Sequence, residues 1–253
     1  MNFEPILKHH LLNHSLIPFY IHGVDFGLTH YLLMMWIVSA ITVAVSIGAA
    51  RAEGGAGILL RSGMESIILY IRDEMMRPIF HDETDYYLPY FLTLFFFILI
   101  ANFAGMVPDA PAVMGNISVT LALALCTFIL IQFAGIRAQG LISYLKHIVP
   151  GGTPWWLVPL LFVIEIFGLC AKCIALCIRL FANIVAGHMV ALACLSLIFI
   201  FAQMNHYVGF ISAPFAVGLT LFSSLLDLLV AALQAYIFTI LTALFVGFAV
   251  HPH

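Results

Sequence analysis

The sequence predicts an all-α integral membrane protein with about five membrane-embedded helices and an amphipathic surface helix. The last two helices are expected to form a long, strongly tilted antiparallel hairpin. Three observations carry this. Of the 253 residues, 64% are hydrophobic and 8% are charged, with a mean hydropathy of +1.12; a soluble domain carries about 25% charged residues. Long apolar runs recur at the length of about 20 residues that crosses a hydrocarbon core as a helix. Lysine and arginine gather in alternate connections, as they do where one side of a membrane retains positive charge. The net charge of −3 offers nothing to nucleic acid.

The chain reads as one membrane domain over residues 1–253. Residues 1–29 hold Lys8, His9, His10, His14 and His22 but no apolar h-region. No cleavable signal peptide is therefore expected, and the stretch reads as an external amino-terminal segment. Residues 30–50 form the first span. Residues 51–88 form a polar loop containing an amphipathic helix at 58–76, with Leu59, Leu60, Met64, Ile67, Ile68 and Ile71 in an apolar stripe. Arg61/Glu65 and Asp73/Arg77 have i,i+4 spacing, which an ordinary solvated loop helix would also show. The second span is 90–107, bounded by Pro89 and Pro108, and a turn over Pro108-Asp109-Ala110-Pro111 leads to the third at 117–136. A polar connection, 137–153, carries Arg137, Lys146 and the breaker Pro150-Gly151-Gly152. Two very long apolar segments follow, 157–202 and 214–250, joined by 203–212; residues 157–250 make up the expected hairpin.

Orientation follows from charge. Arg51, Arg61, Arg72, Arg77, Arg137 and Lys146 fall on one side, and loops 108–116 and 203–212 contain no lysine or arginine. The amino terminus is expected outside and the carboxyl terminus in the cytoplasm, with Lys8 alone against the rule. The fourth segment exceeds one span. Two spans broken near Arg179 would put Lys172 and Arg179 by an outer loop, so the preferred reading is one continuous, oblique helix. The five cysteines, Cys126, Cys170, Cys173, Cys177 and Cys194, lie in apolar runs, and their odd number argues against a disulfide framework. No metal or cofactor site is expected: Cys170, Cys173 and Cys177 share a stripe but lack a fourth ligand nearby.

Arg179 is the most informative residue. A cation at mid-bilayer costs about 2.5–3.5 kcal/mol on insertion scales, and arginine cannot lose its proton to escape that cost. Glu165, Lys172 and Arg179 are spaced by seven, which turns a helix by about 700°, so they lie almost on one line. Asn183 extends the stripe. In the last segment Asp227 and Gln234 repeat the spacing. An antiparallel fold about His206–Tyr207 brings Arg179 level with Gln234, and His188 level with Asp227 to about 3 Å. His188 lies about 180° around the helix from Arg179, which suits a path entering on one face and leaving on another. Each residue also has a plainer reading. Arg179 could pair with Glu165 or Asp227; Lys172 could snorkel; His188 could be a satisfied interior histidine; Gln234 and Asn183 could be interhelical glue.

These residues carry a family resemblance. The stretch Arg179-Leu180-Phe181-Ala182-Asn183-Ile184-Val185-Ala186-Gly187-His188 resembles the RLF-x-N-x-x-AG signature of subunit a of rotary ATP synthases. Leu233-Gln234-Ala235-Tyr236-Ile237-Phe238 resembles the family's LQAFIF element. The run from Asn102 to Pro108 is similar to its N-x-x-G-x-x-P turn, and Asn116-Ile117-Ser118-Val119-Thr120 to its N-x-x-VT helix start. The likeness spans roughly residues 85–250, while the amino-terminal third matches in layout only.

The resemblance implies a stator that carries protons to and from a rotating ring of small hairpin subunits, the c-ring. It also implies a peripheral-stalk subunit b and a lipid bilayer, most simply a bacterial plasma (inner) membrane. Arg179 would separate two aqueous half-channels. Asn183, His188, Asp227 and Gln234 would line the outer one, and Glu165 the inner one, with Lys172, Asn102, Asp109 and Asn116 as accessory positions. Two positions depart from many bacterial members. The acid and histidine are exchanged at His188 and Asp227, and Lys172-Cys173 stands where a Lys-Pro pair is common. The chain would contribute no ATP chemistry of its own. The competing reading is a secondary ion-coupled transporter or antiporter with an intramembrane charged site, against which stand the lack of an internal repeat and of a central helix break. A membrane metalloenzyme would need a motif such as H-E-x-x-H, which does not occur.

Overall fold

The computed structural model describes residues 15–17, 20–21, 24–25, 28–51, 55–107, 111–140, 144, 154, 156–204 and 206–250. Lys8, Asp109, Lys146 and the Pro150-Gly151-Gly152 breaker lie outside these. Two short antiparallel pairings open the described chain: β1 (Ser15–Ile17) with β4 (Leu28–Thr29), and β2 (Tyr20–Ile21) with β3 (Val24–Asp25). Among the described residues the elements after them are all helices. Helix α1 spans His30–Arg51, and α2 spans Gly55–Tyr70. A π-helical turn, Ile71–Met76, continues α2 into the short α3, Arg77–Phe80. Helix α4 is Thr84–Gly105, α5 is Ile117–Gln139, α6 is Val158–Met204 and α7 is His206–Val250. Five helices are long and apolar enough to cross a membrane, so the chain is an all-α, multi-pass membrane protein.

The structure moves two expected boundaries. Helix α4 starts at Thr84 and runs through Pro89, which the sequence had suggested as its bound. Pro89 sits within the first two turns, where losing one intrahelical hydrogen bond disturbs little. Helix α7 likewise begins at His206, takes in most of the expected 203–212 joint and continues through Pro214. In a bilayer an irregular backbone would leave polar groups unpaired, so helix is kept wherever it can be. The fourth apolar segment is one unbroken helix of 47 residues, as preferred from the charge pattern. The expected amphipathic helix forms; of its stripe Ile71 is buried, Met64, Ile67 and Ile68 are half-buried, and Leu59 is 78% exposed. Asp73 pairs with Arg77 at 3.0 Å, and Arg72 pairs with Asp85 at 3.2 Å.

The described chain divides into two compact units. Unit 1 comprises Met1–Arg51, Phe97–Asn116 and Ala182–Leu233; unit 2 comprises Ala52–Phe96, Ile117–Phe181 and Gln234–His253. Within unit 2, Phe80 is fully buried, with its ring 4.8 Å from Tyr87 and 5.7 Å from Phe91. Thr120 Oγ1 lies 3.4 Å from Cys177 Sγ, joining α5 to α6. Threonine hydroxyls on α7 are satisfied by their own helix: Thr239 and Thr242 donate to the carbonyls of Ala235 and Phe238 at 2.8 Å.

Gly247 of α7 lies so close to Ile79 that a Cβ there would overlap the isoleucine methyl. Gly247→Ala is therefore expected to destabilise unit 2 by about 1–3 kcal/mol, as overpacking does. Thermal unfolding in detergent reads this; an unchanged midpoint would refute the close approach.

Candidate functional site

Helix α6 sets Arg179 by its pattern of burial. Leu176, Cys177 and Leu180 are buried, while Ile178 and Arg179 are exposed. Opposite, α7 brings up Ala235 and Phe238, exposed 0% and 1%. A small residue there lets helices approach closely. Gln234, itself 7% exposed, donates from Nε2 to the Arg179 carbonyl at 3.0 Å. The amide thus holds the backbone that carries the guanidinium and leaves the guanidinium itself outward. Among the described residues Arg179 forms no ion pair, so the plainer reading of a static pair finds no support. The plainer reading of Gln234, interhelical glue, matches its hydrogen bond; such bonds contribute about 0.6 kcal/mol within bilayers.

In unit 1 the second rung takes shape around a glycine. A Cβ on Gly187 would stand 2.9 Å from Asp227 Oδ2 and 3.0 Å from its Cγ. Glycine there leaves the Asp227 carboxylate its place against the α6 backbone, next to the exposed His188. One turn further along α7, fully buried Asn102 donates from Nδ2 to the Ala231 carbonyl at 3.1 Å. Its Oδ1 is buried with no partner among the described residues. Asn116 and Asn183 are half-buried.

Glu165 and Lys172 lie in unit 2. They line a cavity of about 150 Å³ together with Tyr144, Gln139, Cys173 and Phe245. The Lys172 ammonium sits 5.2 Å from the centre of the Phe245 ring, within the range at which a ring face attracts a cation.

The structure therefore brings Gln234 to Arg179 and Asp227 to Gly187, and sets Glu165 and Lys172 on one cavity. Sequence reasoning assigned no part to Gly187, Gln139 or Tyr144. Gly187 had a readable signal, a glycine next to His188 and level with an acid on the facing helix. Tyr144 had none, since its place depends on a turn in the polar connection.

The chain is similar to known proteins over most of its length. The family model for the ATP synthase A chain matches residues 32–247, well upstream of the stretch where the motifs alone were legible. ATP synthase subunit a of Myxococcus xanthus is 42% identical over 242 residues, covering 91% of this chain and 76% of its own length. ATP synthase subunit a 2 of Prosthecochloris aestuarii is 40% identical over 260 residues, covering 98% of this chain and 75% of its own length. The protein of the same name from Chlorobium luteolum is 40% identical over 263 residues, covering 96% and 75%. With residues 32–247 matched and relatives about 40% identical over most of its length, the chain belongs to the ATP synthase A chain family.

Proposed function

We propose that this subunit a of an ATP synthase forms two half-channels for protons, divided by Arg179, to and from the carboxylates of a rotating c-ring. The observation that carries the reading is the outward guanidinium of Arg179 on an apolar helix, its backbone braced by Gln234. A ring carboxylate facing lipid must be neutral, because burial disfavours its charged form. Beside Arg179 the ionised form is favoured by the opposite charge. Each carboxyl therefore gives its proton to the inner path as it nears Arg179, and takes one from the outer path after passing. Arginine does not relay that proton, since it stays charged. His188, Asp227, Asn183 and Gln234 serve the outer path, with Asn102, Asn116 and Asp109 accessory to it; Glu165 serves the inner one, with Lys172 beside it.

The membrane potential supplies part of the drive, about 2.3 kcal/mol per charge per 100 mV. The arginine-rich connections are cytoplasmic in this reading, the amino terminus lies outside, and the membrane is a bacterial plasma membrane. Subunit b of the peripheral stalk holds the chain against the torque of the ring.

Purification in mild detergent tests the partnership. The chain should co-purify with a ring of small hairpins, each bearing one carboxyl. Recovery alone or as a homodimer under conditions that preserve membrane complexes would refute it.

A further inference from the structure

Tyr144, five residues beyond the end of α5, lines the Glu165 cavity. Gly140 has a φ of 79°, the left-handed conformation in which glycine ends helices. Its N–H donates to the Ile136 carbonyl at 2.8 Å, and the Tyr144 N–H donates to the Gly140 carbonyl at 2.9 Å. The Tyr144 ring then lies over Gly135, where a Cβ would stand 2.8 Å from ring Cδ2 and closer still to Cε2. The hydroxyl donates to Gln132 Oε1 at 2.7 Å, and the residue is 8% exposed. Burial pushes the phenol above its ordinary value, and the Glu165 carboxylate adds to this. The hydroxyl therefore keeps its proton and remains a donor.

The cavity it lines carries a second polar group besides Glu165 and Lys172. Gln139 donates from Nε2 to the Ala249 carbonyl at 2.7 Å, while its Oε1 is buried without a partner among the described residues. A buried amide oxygen with no protein donor is satisfied by water. About 150 Å³ admits several molecules, at roughly 30 Å³ of liquid volume each.

We propose that Tyr144 is a positioning residue for proton exchange at Glu165: its ring closes the α5 wall of the cavity, and its hydroxyl, turned to Gln132, offers lone pairs to water held beside the carboxylate. The proton moves between the Glu165 carboxyl and that water, and the phenol neither gains nor loses one. The inference rests on the inner-path reading of Glu165.

Two variants of the whole complex in sealed vesicles test it. Tyr144→Phe keeps the ring and removes the hydroxyl; Gly135→Ala keeps the tyrosine and unseats it. ATP-driven proton pumping per assembled complex is measured against pH on each side of the membrane in turn. Tyr144→Phe should lower flux about three- to tenfold, the worth of one hydrogen bond. It should also shift the pH profile on the Glu165 side only. Gly135→Ala should give the same one-sided shift with the hydroxyl present. Parental flux and profiles in both variants overturn the proposal. So does a lower yield of complex with parental flux per complex, which would assign Tyr144 to packing alone. Arg179→Ala in the same vesicles keeps the two readings apart: parental pumping by that variant would remove the half-channel reading itself, whatever Tyr144 does.

Discussion

Arg179→Ala should abolish proton-driven ATP synthesis, to below about one-hundredth of the parental rate, the equivalent of some 2.7 kcal/mol or more. The variant should nevertheless assemble. Gln234 holds the carbonyl at this position and not the guanidinium, and alanine supplies the same carbonyl. Removing a cation from an apolar segment also relieves an insertion cost of about 2.5–3.5 kcal/mol. The loss should therefore be one of coupling, with no fixed charge left to draw protons off passing carboxyls or to block a leak. Arg179→Lys should rescue little. An ammonium in an apolar setting can shed its proton, whereas a guanidinium cannot. Synthesis is measured in inverted vesicles with assembly followed by co-purification. Parental synthesis in Arg179→Ala would refute the role.

Gly187→Val should slow proton entry from the outer side by about 10²-fold, the usual contribution of a positioned proton-transfer group. The smallest side chain at this position already meets Asp227 Oδ2 at 2.9 Å, so valine must displace the carboxylate from its place. Gly187→Ala should have the same sign and a smaller size, because a shift of a few tenths of an ångström relieves it. The double variant His188→Ala, Asp227→Ala should match valine without losing the ring contact. The readout is passive proton flux through complexes freed of their catalytic head. Equal flux in Gly187→Val and the parent would separate Asp227 from the outer path.

Much of the fold was legible because bilayer physics leaves few choices. The unbroken α6 followed from charge placement around Lys172 and Arg179, and the hairpin centre near His206–Tyr207 lies close to the observed joint between Met204 and His206. Pro89 and Pro214 misled because a proline reads as a breaker in isolation, while a surrounding bilayer penalises any open turn more than one lost hydrogen bond. The levels of Gln234 and Asp227 could be counted along two helices. Which atom Gln234 would bind could not, because that depends on a rotamer. Tyr144 was hidden for a different reason. Its position combines the left-handed Gly140, the bare surface of Gly135 and an acceptor on Gln132, none of which follows a period.

The joint between α6 and α7 has one further consequence. With only residue 205 between two helices of 47 and 45 residues, the pair behaves as a folded ruler whose marks must agree. One residue inserted between Arg179 and Gln234 would slide one edge by about 1.5 Å and rotate it by about 100°, leaving every later mark without its counterpart. Lengthening the chain upstream of Val158 would disturb none of them. Insertions and deletions across this family should accordingly be absent from the folded stretch and frequent before it.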